Sequence, residues 1–402
     1  MSEFCPYTYK GYPRGLEYPW TFTMPSIHER DRRWTEIRKS MAKHNIDCLI
    51  IGAPWGYMPS TSNTNICYVS NYAPVSNRGG TYIVFPQEGE PQLGVSNQVG
   101  PQFLHWALAT SWMNEVIGSF YPVKDIIMKI NQLKLGEGKI GIVDYKSGMF
   151  AASVYDTLRE NFPAASFSDA TVVLAAAMNE VSRSSNEELA LLHRVCEIQD
   201  LGYEAVVKAF KPGVKECELW AAAEHAIVKN GGWYPHFILG TSGPAPTFPR
   251  APASQNVLSN GDIVLFEINV IYGGISAQIS YAISLGKPKK EIEDMFEFCS
   301  ELYTYTLVEL EKQRTFLDIE LDLANRIHKA GYEPMTPQIH IYNQSTSIPN
   351  NSPPQPGDYF TVHPNFCTKD YTAGAKFGET IRISEQGKVQ RLQKTPAKLN
   401  II

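Results

Sequence analysis

The sequence has no apolar run long enough to cross a membrane and no concentration of positive charge. Its longest apolar stretches have the length of a β-strand, whereas a membrane-spanning helix needs about 20 apolar residues. Lysine and arginine number 36 against 41 aspartate and glutamate residues, and the net charge is −5. Nucleic-acid binding normally requires a clustered basic surface. We therefore expect neither a membrane nor a nucleic acid as a partner.

The seven cysteines lack the CxxC spacing that marks zinc sites and redox motifs. Scattered cysteines of this kind indicate free thiols in a reducing compartment. The first twenty residues are aromatic and rich in proline, and they lack the charged-then-apolar order of a secretory signal. Both features predict a cytoplasmic protein.

Short apolar strands alternate with amphipathic helices over the first 174 residues. A helix is predicted over 27–45, a buried strand over 47–54 and another strand over 81–86. Such alternation indicates an α/β layer domain. A long helix with apolar residues at helical spacing begins near residue 181, and the last third is strand-like. We predict two domains, residues 1–178 and 179–402, each large enough for its own core.

The most informative segment is a predicted hairpin over residues 260–286. Its first strand, 262–271, alternates apolar residues, and its second, 275–285, carries Gln278 between two serines on one face. The paired glycines at 273 and 274 allow the positive φ angles of a tight turn. Glu267 lies inside the apolar first strand, where burial of a carboxylate is costly unless a partner is present. Glu267 therefore either faces outward, ties down a loop or belongs to a polar site.

This hairpin resembles the central hairpin of the creatinase, aminopeptidase P and methionine aminopeptidase superfamily, known for its "pita-bread" fold. The shared pattern is G-D-x-V-x-x-[acid], then Y-x-G, with a second acid position eleven residues after the first. The segments KPGVKECEL and HFILGTSG match the links that precede the hairpin in that superfamily. The resemblance implies an N-terminal creatinase-like α/β domain and a C-terminal pita-bread α+β domain with a central antiparallel sheet. It also implies a homodimer in which the N-terminal domain lies near the neighbour's site.

In the metal-dependent members of the superfamily, two aspartates, one histidine and two glutamates converge on two metal ions. Carried over one by one, these positions fall at Glu267, Gln278, His340, His363 and either Gly378 or Glu379. The simplest register places Gly378 at the last position, with Glu379 one residue further on. A dinuclear site needs bridging carboxylates, and Gln278 and His363 stand where two acids are required. We therefore expect no dinuclear peptidase site.

Two interpretations of these residues remain open. In the first, Glu267, His340 and His363 hold one divalent ion, iron, zinc or manganese, with Gln278 as a fourth neighbour. In the second, the site holds no metal, and His363 and His340 carry out acid–base chemistry directly. Glu267 and Glu379 would then orient a histidine or bind a cationic group of the substrate.

Six further residues near these positions are candidates for substrate binding. They are Arg78, His236, Arg250, Tyr272, Tyr342 and Phe360. Arginine can hold a carboxylate through two parallel hydrogen bonds. Aromatic side chains supply the apolar lining that is typical of small-molecule sites.

The sequence thus predicts a non-peptidase hydrolase or lyase that cleaves a C–N, C–S or C–C bond in a small polar or aromatic metabolite. A peptide substrate is disfavoured because the peptidase ligands are replaced. One alternative is a creatinase-like, metal-free amidinohydrolase, although the loop TSGPAPTFPRAP lacks the histidine that creatinase uses there. The other alternative is a catalytically inactive pita-bread domain that serves for binding.

Overall fold

The computed structural model describes residues 7–10, 25–53, 61–72, 80–96, 111–119, 121–146, 150–232, 237–247, 253–340 and 351–402. Two compact units divide the chain, one reaching to Val181 and the other beginning at Ser182. This division falls inside the helix Thr171–Ser184, which also contains the predicted boundary at residue 178. In the described part of the chain, no helix is long and apolar enough to span a bilayer, and the six cysteines are free thiols.

The first unit is built on a seven-stranded mixed sheet. Its strands are β1 (Tyr7–Lys10), β2 (Cys48–Ala53), β3 (Thr81–Pro86), β4 (Gln92–Ser96), β5 (Glu115–Ser119), β6 (Lys139–Ile142) and β7 (Ser166–Asp169). They lie in the order β1-β5-β4-β3-β2-β6-β7. The helices are α1 (Ile27–His44), α2 (Thr61–Ser70), α3 (Pro122–Gln132), α4 (Ala152–Asn161) and α5 (Thr171–Ser184).

Side-chain alternation along β2 explains why helices cover both faces of this sheet. Leu49 and Ile51 join the core cluster that includes residues of α1 and α5, whereas Cys48 and Ile50 join the cluster that includes residues of α3 and α4. A strand buried on both faces reads as a continuous apolar run, as β2 does. The predicted α/β layer domain is confirmed.

In its described ranges, the second unit contains four helices and a larger antiparallel sheet. The helices are α6 (Asn186–Ala209), α7 (Glu216–Lys229), α8 (Lys290–Glu311) and α9 (Phe316–Lys329). The strands are β8 (Phe237–Gly243), β9 (Ile263–Tyr272), β10 (Ile275–Ser284), β11 (Glu333–Pro334), β12 (Ile339–His340), β13 (Tyr359–Val362), β14 (Asn365–Cys367), β15 (Gly374–Lys376), β16 (Gly378–Ile383), β17 (Val389–Arg391) and β18 (Asn400–Ile401).

Eight of these strands form the main sheet, in the order β12-β13-β16-β10-β9-β8, with β17 beside β16 and β18 beside β10. Neighbouring strands along the main path are antiparallel. A separate small sheet has the order β11-β14-β15. The predicted central antiparallel sheet of the C-terminal domain is confirmed.

The predicted hairpin is formed by β9 and β10, which pair over ten residues each. Gly273 and Gly274 form its turn with φ angles of 57° and 83°, which glycine adopts without steric cost. One face carries Phe266, Ile268 and Tyr281, which belong to the core cluster shared with α6 and α7. Because side chains alternate along a strand, the residues between them, Glu267 among them, lie on the other face.

Candidate functional site

The register of the hairpin gathers four polar side chains on one face. Ser280 lies opposite Glu267, and Gln278 lies opposite Asn269. All four residues are buried. Buried polar groups persist only when they are hydrogen-bonded or serve a ligand, so this patch on β9 and β10 is the starting point of the site.

A buried lysine neutralises Glu267. The ammonium of Lys376, at the end of β15, forms an ion pair with the Glu267 carboxylate. Glu267 is 4% exposed and Lys376 2% exposed. Asn269 Nδ2 donates to Glu267 Oε1 at 3.4 Å, and Ser280 Oγ donates to Oε2 at 3.5 Å. A carboxylate can be buried at acceptable cost when it is both paired and hydrogen-bonded, and Lys376 provides that pairing.

His363 and Gly378 meet beside this patch in unusually close contact. Val362 pairs with Glu379, so the adjoining residues His363 and Gly378 also lie across from each other. A Cβ atom added to Gly378 would lie 2.3 Å from His363 Cβ, 2.3 Å from the Val362 carbonyl oxygen and 2.4 Å from His363 Cα. Gly378 also pairs with Ser280, whose hydroxyl bonds to Glu267. Only glycine at this position lets the two strands approach so closely.

His363 is a fully buried, neutral imidazole. Its side chain is 0% exposed, and its ring stacks on that of half-buried His340 with centroids 4.3 Å apart and planes inclined by 17°. Burial first, and then the positive charge of Lys376, holds the pKa of His363 well below its usual range. The two histidines that the sequence analysis singled out are therefore in contact, and their roles stay predictions.

A chain of hydrogen bonds connects His363 to the carboxylate of Glu320. Asn365 Nδ2 lies 3.3 Å from His363 Nδ1 and donates to the His363 carbonyl oxygen at 2.9 Å. The Asn365 backbone N–H donates to Gln338 Oε1 at 2.7 Å. The Gln338 backbone N–H donates in turn to both oxygens of Glu320, at 2.8 and 2.9 Å. Burial raises the pKa of Glu320 to about 7.

Gln278 lies on the same face of the hairpin as Glu267, and its main chain is held by hydrogen bonds to Thr380. The Gln278 backbone N–H donates to Thr380 Oγ1 at 2.9 Å, and that hydroxyl donates to the Gln278 carbonyl oxygen at 3.1 Å. The structure places Glu267 on β9, Gln278 on β10 and His363 directly after β13. Their catalytic and ligand roles stay predictions.

Glu379 does not belong to this group, and its predicted role in the site requires correction. Glu379 pairs with Ile279 on β10 and so lies on the opposite face from Gly378. Its carboxylate accepts hydrogen bonds from the hydroxyl of Tyr303 on α8 and from the guanidinium of Arg391 on β17. Burial raises the pKa of Glu379, although Arg391 and Tyr303 oppose that shift. The last ligand position of the superfamily therefore falls at Gly378, which has no side chain.

Two of the predicted substrate-binding aromatics also lie elsewhere. Tyr272 faces the helical side of the hairpin, where the Arg194 guanidinium of α6 lies 6.0 Å from its ring centroid. Phe360 is fully buried beneath the sheet and packs edge-on against Phe316 of α9, with centroids 4.8 Å apart. Phe360 is a core residue and half-buried Tyr272 packs against the core, because they alternate out of phase with His363 and Glu267 respectively. The remaining candidates, Arg78, His236, Arg250 and Tyr342, lie outside the described residues.

The donor set does not fit the predicted metal ion. In the ranges that the structure describes, no group of three or more His, Cys, Asp or Glu side chains is arranged to hold a cation. The carboxylate of Glu267 is bound by an ammonium group, and Nδ1 of His363 faces an amide. A divalent ion would have to compete with the Lys376 ammonium for the Glu267 carboxylate. The two positive charges would repel each other strongly in these buried surroundings. Among the described residues, Glu267, Gln278, His340 and His363 therefore do not form a ready ligand set for one metal ion.

Lys376 is the site residue that the sequence analysis missed. It stands in the segment AGAKFGE, two residues before Gly378. A charged residue in an otherwise apolar strand near a predicted ligand position is the signal that would have found it. The buried acid at 267 required a partner, and Lys376 was a candidate for it.

Comparison with known families assigns both parts of the chain. Residues 190–385 match Metallopeptidase family M24, and residues 33–177 match the Creatinase/Prolidase N-terminal domain. Among related proteins, the Xaa-Pro dipeptidase of Pyrococcus furiosus is 23% identical over 226 residues, which are 54% of this chain and 64% of that protein. The Xaa-Pro dipeptidase of Pyrococcus horikoshii is 21% identical over 298 residues, which are 74% of this chain and 76% of that protein.

Solved structures show the same fold. A prolidase from Thermococcus sibiricus superposes with a TM-score of 0.74 at 18% identity, covering 93% of this chain and 99% of that one. The prolidase from Pyrococcus horikoshii OT3 gives 0.70 at 20% identity, covering 90% and 98%. The expectation of a non-peptidase hydrolase or lyase is wrong by this comparison, because the named relatives and structural neighbours are dipeptidases.

Proposed function

We propose that this chain, which belongs to the creatinase and M24 metallopeptidase superfamily, hydrolyses short peptides of the Xaa-Pro dipeptide class. The named relatives supply the substrate class. The observation that carries the proposal is the buried Lys376–Glu267 ion pair beside His363. These residues lie on the strands that the resemblance assigns to the active site.

The chemistry that these residues can supply is electrostatic and acid–base. Hydrolysis adds water to the peptide carbonyl carbon, breaks the C–N bond and delivers a proton to the leaving nitrogen. Negative charge develops on the carbonyl oxygen, and a buried cation or N–H donor stabilises that charge more strongly than water does. Lys376 provides such a cation, and Nε2 of His363 makes no hydrogen bond to any described residue. Both groups are therefore assigned to the carbonyl oxygen.

His340 is assigned the proton transfers. His340 is half-buried, whereas the side chain of His363 is fully buried. In this assignment, His340 takes a proton from the attacking water and returns it to the leaving nitrogen. Glu267, which accepts a hydrogen bond from Ser280, holds Lys376 in place, and neither Glu267 nor Ser280 touches the peptide. No step is assigned to a metal ion, since the donor set does not fit one.

The test is release of free proline from a panel of Xaa-Pro dipeptides by purified protein. We expect turnover that is insensitive to EDTA and to added Mn²⁺, Co²⁺ or Zn²⁺. Lys376→Met and His363→Gln should each lower kcat/KM by about 100-fold or more, the usual effect of removing a group that stabilises the oxyanion. Lys388→Met is the matched control, because Lys388 pairs with Glu311 on the surface and should leave the rate unchanged.

Two results would contradict the proposal. Absence of proline release across the panel would exclude this substrate class. Activity that EDTA abolishes and Mn²⁺ restores would exclude the metal-free assignment.

The homodimer expected from the resemblance stays a prediction, and sedimentation equilibrium measures it directly.

A further inference from the structure

The side-chain amide of Asn365 has a fixed orientation. Its Oδ1 atom accepts the backbone N–H of Thr336 at 2.8 Å and the Thr336 hydroxyl at 3.1 Å. A backbone N–H can only donate, so the atom that faces it must be the amide oxygen. The amide nitrogen therefore lies on the other side, where it donates to the His363 carbonyl oxygen at 2.9 Å. The usual ambiguity between amide oxygen and nitrogen is removed by these partners.

This orientation determines where the proton of the His363 ring lies. Asn365 Nδ2 is 3.3 Å from His363 Nδ1, and an amide nitrogen is a donor only. The same amide nitrogen lies 3.4 Å from the Thr336 carbonyl oxygen and 3.5 Å from the Pro337 carbonyl oxygen, both farther away than His363 Nδ1. With one amide proton on the His363 carbonyl oxygen, the second is directed at His363 Nδ1, which is then the unprotonated, accepting nitrogen. A neutral imidazole carries one ring proton, and in His363 this proton is on Nε2.

The Nε2–H group is in turn left available. Within the described ranges it is buried and has no hydrogen-bond partner. The ring cannot rotate freely to find one, because His340 stacks on it at 4.3 Å and Asn365 holds Nδ1. Buried N–H groups are almost always satisfied, so this donor is available to an oxygen of a bound ligand.

We propose that Asn365 is a positioning residue that holds His363 as its Nε2–H tautomer, which makes the ring a fixed hydrogen-bond donor to an oxygen of the bound ligand. The identification of that oxygen as a peptide carbonyl rests on the proposed function. The tautomer itself does not, since it follows from the contacts of Thr336, Asn365 and His363 alone.

The tautomer can be read from the ligand-free protein. Histidine is labelled with ¹⁵N in the imidazole ring, long-range ¹H–¹⁵N spectra are recorded, and the His363 signals are assigned by their loss in His363→Gln. We expect a pyrrole-type Nε2 and a pyridine-type Nδ1 for His363. The reverse pattern in the wild-type protein would overturn the inference without recourse to any variant.

Asn365→Asp gives the matched substitution, because it keeps the shape and replaces the NH₂ donor by an acceptor. The ring proton should then move to Nδ1. The kcat/KM for proline release should fall toward the value measured for His363→Gln. Asn256→Asp, at an exposed position, is the control that should leave the His363 signals in place. An unchanged His363 tautomer in folded Asn365→Asp would contradict the positioning role.

The ligand contact is tested separately with N-acetylproline as the probe, which offers a carbonyl next to a proline ring. We expect the His363 Nε2–H proton to shift on addition of the probe. A protein that shows the Nε2–H tautomer and this shift, yet releases no proline from dipeptides, would retain the inference and lose the proposed function. A protein that hydrolyses dipeptides but leaves the Nε2–H signal unmoved by saturating probe would show that His363 is not the donor.

Discussion

The ammonium of Lys376 and the carboxylate of Glu267 pair across 109 residues of sequence, with both side chains withdrawn from solvent. The burial of each of these charged side chains is explained by the presence of the other. A buried carboxylate and a buried ammonium are each too costly to leave alone. Together they form a neutral, oriented dipole at a place where the superfamily resemblance implies a metal ligand.

Removing one member of this pair should be far more costly than removing both. Lys376→Met should lower the free energy of unfolding by about 3–5 kcal/mol, because it leaves Glu267 buried and unpaired. The double variant Lys376→Met/Glu267→Gln should recover much of that loss. Urea denaturation measures both. Lys290→Met, which breaks an exposed pair with Asp294, is the control and should leave the free energy of unfolding nearly unchanged. Equal losses for Lys376→Met and Lys290→Met would show that the buried pair is not formed.

Gly378→Ala tests the close approach of β16 to His363. The new methyl group would meet His363 Cα and Cβ and the Val362 carbonyl oxygen at 2.3–2.4 Å, and none of these atoms can rotate away. Overpacking of this kind costs about 1–3 kcal/mol or more. Gly94→Ala is the control, since its Cβ would meet nothing closer than 3.6 Å. Circular dichroism melting curves compare the two. A melting temperature for Gly378→Ala equal to that of Gly94→Ala would refute the contact.

Glu379→Gln separates a structural carboxylate from a catalytic one. Glu379 bonds to Tyr303 and Arg391 on the far face of the sheet. Loss of its charge should lower stability by about 1–3 kcal/mol, the typical cost of weakening charged hydrogen bonds in a buried place. The rate of proline release should stay unchanged. A loss of rate as large as that of His363→Gln would return Glu379 to the site.

Glu320 should make the stability of the protein fall as the pH rises. Its pKa is raised from 4.5 to about 7 by burial, so between these values the folded state binds a proton that the unfolded state has released. The contribution of Glu320 to stability is therefore full below about pH 4.5 and is lost as the pH rises to 7. The loss is on the order of 3 kcal/mol. The difference between wild type and Glu320→Gln, measured by urea denaturation from pH 4.5 to 8, isolates it. A difference that is constant with pH would contradict the shift.

The fold could be predicted from local pattern because the pattern is strong where the core is built. Alternation along β9 and β10 and the glycines at 273 and 274 placed the hairpin within a residue or two of its observed position. The same reasoning put His340 and His363 together, since both fall at positions that the superfamily brings to one point. These predictions depend on periodicity and on the resemblance, and neither needs knowledge of distant contacts.

The failures have equally definite causes. A strand has a period of two, so an uncertainty of one residue moved Glu379 from one face of β16 to the other. Tyr272 and Phe360 are aromatic, and aromatic residues serve a core and a pocket lining equally well. Lys376 was missed because its partner lies 109 residues away. The replaced ligands argued against a peptidase, and only comparison with the named dipeptidases corrected that interpretation.

The contact between Gly378 and His363 also constrains how such a site can change over evolutionary time. The atoms that exclude a side chain at 378 are His363 Cα and Cβ and a carbonyl oxygen, which every residue except glycine would present at position 363. Exchange of His363 alone therefore opens no room for an acid at 378. A carboxylate at position 378 therefore requires the strands β13 and β16 to move apart first. The backbone of β13 and β16, and not the identity of residue 363, keeps position 378 without a side chain.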